Sequence, residues 1–107
     1  MANNFKNAKN DLTSTGNTTV YTCPTATQSI IKSILISNDS GSADTIDITL
    51  TDASASEFSL FKAKSITSNT TVELLEQPLI MQESEIIKAQ ATTADRLHII
   101  ISFLEVN

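Results

Sequence analysis

The side chains that most often carry out catalysis are scarce in this chain. His98 is the only histidine and Cys23 is the only cysteine. A nucleophilic triad would need folding to bring His98 together with a hydroxyl and a carboxylate, and no spacing in the sequence favours that meeting. Cys23 precedes Pro24 and has no cationic neighbour in the sequence that would favour its thiolate. The sequence therefore predicts that the protein is not an enzyme, and that Cys23 is reduced, buried and inert.

Carboxylates are the other groups that could do chemistry, and they concentrate in two places. One is a group of four glutamates within 13 positions, Glu73, Glu76, Glu83 and Glu85. The other is the turn from Asp39 to Asp44, where two carboxylates flank a glycine without a third acidic ligand or a distal bidentate glutamate. Both spacings are typical of solvated strand edges and turns. We therefore predict no metal site and no cofactor.

The elements that must hold these side chains are predicted to be β-strands. Apolar residues alternate with polar ones in segments that recur about every 8 to 14 residues, and 44–52 (DTIDITLTD) is the clearest case. A helix competes with a strand only in 53–65 (ASASEFSLFKAKS), where Phe58 and Phe61 also fit one helical face. The expected fold is all-β, a single antiparallel β-sandwich of the jelly-roll or immunoglobulin-like kind.

The phase of the alternation predicts which residues face the core. The positions that share the inward phase are Ile34, Ile36, Ile46, Ile48, Leu50, Val72, Leu74, Leu97, Ile99, Ile101 and Phe103. In the strand that begins at Glu57, the pattern places Phe58 and Leu60 on one face and Phe61 on the opposite one. The Asn, Asp, Ser and Gly content of 38–43 is typical of a tight turn, so the flanking strands are predicted to form a hairpin. Ile30 and Ile31 in succession indicate a bulge.

The first 16 residues differ in composition from the rest of the chain. They are polar and rich in amides, and their only apolar side chains beyond Ala2 and the initiator are Phe5, Ala8 and Leu12. Such a segment buries too little apolar surface to order itself. We therefore predict an extended N-terminal arm over 1–16 and a β-sandwich domain over 17–107. The arm is expected to bind a partner through Phe5 and Leu12.

The last strand, within 97–107 (LHIIISFLEVN), is apolar on both faces. When one face packs into the core, Ile100, Leu104 and Val106 form a continuous apolar strip on the other. Such strips usually mark contact surfaces, so we predict that these three residues lie in a partner interface. The partner is expected to be an identical copy or a neighbouring protein. The alternative is that the arm or a loop of the same chain folds over the strip.

Charge and composition narrow the range of partners. The formal net charge is −5 and no run of Lys or Arg occurs, which argues against nucleic acid and anionic membranes because both require a basic face. Tyr21 is the only tyrosine and tryptophan is absent, which disfavours an aromatic platform for sugars. No segment has the apolar core of a signal peptide or a membrane span. The sequence predicts that the protein is made and kept in the cytoplasm unless a larger assembly or lysis carries it out.

Five stretches carry a family resemblance that covers nearly the whole chain. They are NNFKNAKNDLTST (3–15), VYTCP (20–24), SILISND (33–39), LLEQPLIMQESEIIKAQ (74–90) and LHIIISFLEVN (97–107). These stretches resemble small virion structural proteins of marine tailed bacteriophages, including phages of cyanobacteria. In one place the chain departs from the family pattern, because Ser84-Glu85 stands where a Gly-Asp turn is expected.

The resemblance implies a part of the virion, assembled in the host cytoplasm. The function it favours is a capsid decoration, or cement, protein that stabilises the head by binding copies of itself and the major capsid protein. A tail, baseplate or fibre module is the alternative. A carbohydrate-binding module or an enzyme is a second alternative from another class. The resemblance implies no catalytic residues, so the predicted site is the partner interface.

Overall fold

The computed structural model describes residues 3–107, and the regular elements in this range are all β-strands. In chain order they are β1 (Asn3–Asp11), β2 (Thr18–Thr22), β3 (Gln28–Asn38), β4 (Asp44–Thr51), β5 (Glu57–Ile66), β6 (Thr70–Glu73), β7 (Leu79–Met81), β8 (Ile86–Ala91) and β9 (Leu97–Val106). The all-β prediction is confirmed. The segment 53–65, which also fitted a helix, contributes to strand β5.

The strands form two antiparallel sheets that pack together as a sandwich. The larger sheet has the order β1-β9-β3-β6, with β7 also paired to β3, and the smaller sheet has the order β2-β8-β4-β5. Early strands pair with late ones in a nested way, β1 with β9, β2 with β8, β3 with β6, and β4 with β5. A long hairpin rolled up in this manner is a jelly roll. The predicted single antiparallel β-sandwich is therefore confirmed, and its topology is the jelly-roll alternative.

The core lies between the two sheets and contains the residues that the strand phase predicts. Nine of the eleven predicted positions are buried, and Leu50 and Val72 are partly buried against them. The structure adds residues that the alternation did not assign, namely Leu12, Val20, Cys23, Ile31, Ile66, Met81, Ile87, Ala89 and Ala91. Several of these occupy short strands or strand ends, where too few residues alternate for a phase to be read.

The predicted hairpin between β3 and β4 is wrong, because the two strands belong to different sheets. Residues 39–43 cross from one sheet to the other as an arch. The buried Asn38 side chain holds the arch, since its Nδ2 donates to the carbonyl oxygens of Ser42 (2.9 Å) and Ile66 (3.2 Å). Its Oδ1 accepts from the backbone N of Ser40 at 3.0 Å. Both strands bury alternate residues in the same core, so alternation alone does not distinguish a hairpin from an arch.

The predicted grouping of Phe58 with Leu60 on one face of β5 is also wrong. Two irregularities in the pairing of β4 with β5 shift the register on either side of Ile48. Phe61 lies opposite Ile48 and packs against the core together with Leu60. Phe58, predicted to share a face with Leu60, is 54% exposed. Each extra residue reverses the side on which the following side chains lie, and the sequence carries no clear signal for either bulge.

The predicted N-terminal arm is part of the sandwich wherever the structure describes it. Strand β1 pairs with β9 along all nine of its residues. Leu12 follows directly, its N donates to the carbonyl oxygen of Leu97 at 3.0 Å, and its side chain is buried in the core. Residues 1 and 2 of the predicted arm lie outside the described range. Composition misleads here because an edge strand can keep polar side chains in solvent while its backbone pairs with the sheet.

Candidate interaction surface

The larger sheet has a face that points away from the core, and we call this surface the outer face. Strand pairing arranges its side chains in rows that run across the sheet. In the first row Phe5 on β1 lies opposite Leu104 on β9, Leu104 lies opposite Ile30 on β3, and Ile30 lies opposite Ile80 on β7. All four residues are apolar. We call this line of side chains the Phe5 row.

A second row lies further along the strands and ends in opposite charges. Lys9 on β1 lies opposite Ile100, Ile100 lies opposite Leu35, and Leu35 lies opposite Glu73 on β6. We call this line the Lys9 row. It has an apolar centre, a cation at the β1 edge and a carboxylate at the β6 edge. Ser102 lies between the two rows on β9.

The ends of the outer face differ in polarity. Val106 extends the apolar surface past the Phe5 row, where it pairs with Asn3 and Gln28. At the other end His98 lies between two carboxylates, with its Nε2 3.1 Å from Asp11 Oδ1 and its Nδ1 3.9 Å from Asp39 Oδ2. The apolar part of the outer face therefore stops at the polar and charged side chains around His98.

The side chains of the outer face are open to solvent. Phe5 is 77% exposed, Ile80 55% and Ile100 38%, and these are three of the four large apolar residues that are exposed among residues 3–107. Ile30, Leu35, Leu104 and Val106 are half-buried, and none of them packs against the core. These seven side chains lie on one face of the sheet, and an exposed apolar group of this size usually marks a contact site.

The described part of the chain does not cover this surface. Strand β1 lies beside β9 in the same sheet, so it widens the outer face instead of folding over it. Of the five residues predicted to form a partner interface, Phe5, Ile100, Leu104 and Val106 lie on the outer face. Leu12 does not, because it is buried in the core.

Sequence reasoning missed the half of the outer face that comes from β3 and β7. The strand pairing confirms the predicted bulge, with a register shift between Ile31 and Ser33. The bulge adds Lys32 to the strand, so Ile30 and Leu35 share a face although their spacing is odd. Ile80 belongs to a strand of three residues, which is too short for an alternation to be read.

Glu73 is held in place by the bulge in β3. Its Oε2 accepts hydrogen bonds from the backbone N of Ile34 at 2.8 Å and of Leu75 at 3.1 Å, and its Oε1 accepts from the hydroxyl of Ser33. These donors fix the position of the carboxylate while the residue remains exposed. The outer face therefore carries a negative charge of defined position at the β6 edge.

A buried polar cluster lies inside the sandwich beneath β9, toward the β1 edge of the larger sheet. Glu105 points inward from β9 and is 4% exposed. Its Oε1 lies 2.8 Å from Lys6 Nζ, and its Oε2 accepts from the hydroxyl of Tyr21 at 2.6 Å. The Lys6 ammonium first and the Tyr21 hydroxyl second lower the pKa of Glu105. Burial, and then the bond to Glu105, raise the pKa of Tyr21. The cluster ties β1 and β2 to β9.

Cys23 completes this cluster and is sealed from solvent. Its Sγ lies 3.3 Å from Ser29 Oγ and 3.4 Å from the carbonyl oxygen of Thr27, and the side chain is buried. The hydroxyls of Ser29 and Tyr21 are 2.5 Å apart. The prediction that Cys23 is buried is confirmed. These groups satisfy one another inside the domain, which is the ordinary role of a buried polar network.

The chemistry of the remaining surface points to no second site. Within residues 3–107 no three His, Cys, Asp or Glu side chains are grouped so that they could hold a metal ion. In the same range no helix is long and apolar enough to cross a membrane. Comparison of the chain with protein-family models and with curated proteins found no match. The exposed apolar side chains of the outer face are the feature of residues 3–107 that indicates a contact site.

Proposed function

We propose that this protein is a structural subunit of a tailed bacteriophage particle, a capsid decoration protein that contacts its neighbours through the outer face. One observation carries the proposal: seven apolar side chains lie on one sheet face, in two rows with Val106 beyond them, and the described part of the chain leaves them uncovered. The resemblance of five stretches of the sequence to small virion structural proteins supports a phage particle as the assembly.

The energetics of the outer face favour protein association. Fully burying a side chain the size of Phe or Ile contributes about 1.5 to 3 kcal/mol relative to leaving it in water. Phe5 and Ile80 are more than half exposed, so burying them against a partner contributes much of that free energy to association. Half-buried Leu104 and Ile30 lie between them on paired strands and supply a rigid apolar centre. A rigid apolar centre with charged or polar edges is the usual composition of a protein interface.

The fold is compatible with the proposal but does not select it. Double-sheet jelly rolls occur in viral capsid proteins, in lectins and in cupins, and a fold alone does not define a function. A lectin would offer aromatic rings to its sugar, whereas Tyr21 donates to Glu105 inside the sandwich. An apolar sheet face suits a partner that presents an apolar surface of its own.

The copy number of the protein in purified virions tests the proposal. We expect quantitative mass spectrometry to find it in a fixed, high ratio to the major capsid protein, because decoration proteins occupy repeated sites on the head. A few copies per particle, in proportion to the tail proteins, would support the tail, baseplate or fibre alternative instead. Absence from virions that are purified from cells expressing the protein would contradict a structural role in the particle.

A further inference from the structure

We infer that the occupant of the outer face is a second copy of the same chain, packed face to face about a two-fold axis that runs along the strands. The inference rests on the proposed function, because it names the partner of the surface from which that function is argued. It depends on the order of residues within the Phe5 row and the Lys9 row.

A two-fold axis along the strands has a simple geometric consequence. The axis lies midway between the larger sheets of the two copies, which face one another. Rotation about it leaves each row at the same position along the strand direction and reverses the order of the strands across the sheet. Strand β1 of one copy then lies over β6 and β7 of the second copy, and β9 lies over β3. Each residue therefore meets the residue at the opposite position of its own row.

In the Phe5 row this arrangement brings apolar residues together. Phe5 lies over Ile80 of the second copy, and Leu104 lies over Ile30 of the second copy. By symmetry each contact occurs twice. The two most exposed apolar side chains of the outer face, Phe5 and Ile80, thus cover one another.

In the Lys9 row the same rotation matches charge as well as shape. Ile100 lies over Leu35 of the second copy, and Lys9 lies over Glu73 of the second copy. Lys9 is exposed at one edge of the sheet, and the Glu73 carboxylate is held by backbone donors at the other edge. The dimer thereby gains two ion pairs at the rim of its apolar centre, where they specify orientation.

A two-fold axis across the strands gives a poorer match. It would keep each strand over its own counterpart and exchange the two rows. Phe5 would then lie over Lys9 of the second copy, and Ile80 would lie over Glu73, so charges would be buried against apolar side chains. Such contacts are costly.

Lys32 is a charged side chain near the centre of the interface in either arrangement. Its long apolar stem lets the ammonium reach solvent.

The dimensions of the sheet suit a dimer. Four strands at about 4.8 Å spacing and about 34 Å long cover roughly 600 Å², which is comparable with the roughly 800 Å² per partner of a standard interface. Two packed sheets are rotated by about 30° relative to one another. The outer strands lie about 7 Å from the axis, so this rotation displaces them by about 4 Å from the strands they face. A Lys9 side chain spans that displacement.

The oligomeric state of the purified full-length protein tests the inference. Analytical ultracentrifugation should give a dimer of twice the 11.5 kDa chain mass. Leu104→Lys should give a folded monomer, because it places two like charges at the centre of the interface. Phe58→Lys is the matched control, since Phe58 is exposed but lies on the smaller sheet, and it should remain a dimer. A wild-type monomer at the highest soluble concentration, or a trimer, would overturn the inference.

Cysteine cross-linking tests the direction of the axis. The double variant Phe5→Cys with Ile80→Cys should be joined between chains by a bis-maleimide that reaches about 10 Å, the spacing of packed sheets and more than a disulfide spans. Each single variant should not be joined, because neither position lies over itself. Cys23 is buried and serves as the unreactive background. Cross-linking of the Phe5→Cys single variant, or none in the double variant, would contradict an axis along the strands.

The two proposals fail in different ways. A monomeric protein that is nevertheless abundant in virions would leave the proposed function intact and remove the inferred dimer. A dimer that is absent from virions would keep the inference and remove the proposed function.

Discussion

At the scale of single residues, Glu105 shows how β1 is fastened to the rest of the molecule. A carboxylate that is 4% exposed needs partners, and Lys6 supplies a cation from β1 while Tyr21 donates from β2. Lys6 itself is half exposed, so the ion pair is partly screened by solvent. The cluster thus joins the first, second and last strands.

The low pKa of Glu105 predicts a dependence of stability on pH. A carboxyl whose pKa is lower in the folded than in the unfolded protein contributes stability above its unfolded pKa of about 4.3, and that contribution is lost as pH falls through the folded pKa. In urea titrations, the free energy of unfolding should therefore fall below about pH 5. Glu105→Gln should lower stability at pH 7 and reduce this dependence. Identical pH profiles for the two proteins would contradict the assignment.

At the scale of elements, the turn from Gln82 to Glu85 holds a serine in a backbone conformation that favours glycine. Ser84 adopts a left-handed conformation with a φ of 70°. Its N donates to the carbonyl oxygen of Cys23 at 2.9 Å, and the N of Glu85 donates to the carbonyl oxygen of Gln82 at 3.2 Å. The third position of such a turn favours glycine. The turn is therefore tight, with serine in the strained position.

Replacing this residue with glycine should stabilise the protein. A left-handed non-glycine residue costs about 1 to 2 kcal/mol, and glycine loses about 0.5 to 1 kcal/mol through its greater freedom in the unfolded chain. Ser84→Gly should therefore raise the free energy of unfolding by up to about 1 kcal/mol, measured by chemical denaturation. Ser54→Gly is the matched control, since Ser54 lacks a positive φ, and it should not stabilise. Equal effects of the two changes would contradict this account of the turn.

The elements also show how far sequence reasoning reaches. Strands β3, β4 and β9 follow from period-two alternation, because their inward residues are aliphatic and their lengths allow a phase to be read. Alternation does not report which sheet a strand joins, so the arch at 39–43 was predicted to be a hairpin. It also does not report backbone pairing, so β1 was predicted to be an arm. Ile80 was not predicted to lie on the outer face, because β7 has only three residues and shows no alternation.

At the scale of the whole molecule, the two exposed sheet faces differ in character. The outward positions of β4 and β8 in the smaller sheet are mostly polar, and they are Thr45, Asp47, Thr49, Lys88 and Gln90. The larger sheet presents the seven apolar side chains of the outer face. The jelly-roll topology contributes to this asymmetry, since nested pairing places the first and last strands side by side in the larger sheet. Phe5 and Lys9 thereby extend the surface that β9 provides.

The most direct measurement of the central claim, that the outer face is a contact surface in the particle, is hydroxyl-radical labelling of side chains in intact virions. The reference is the isolated Leu104→Lys protein, which should be monomeric. Phe5, 77% exposed in the single chain, should react rapidly in the reference. In virions it should react as slowly as Phe103, which is buried. Phe58 is exposed on the smaller sheet and serves as the control. Slower labelling of Phe58 in virions would indicate a loss of reactivity that is not specific to the outer face. Rapid labelling of Phe5 in virions, equal to that in the reference, would contradict the claim.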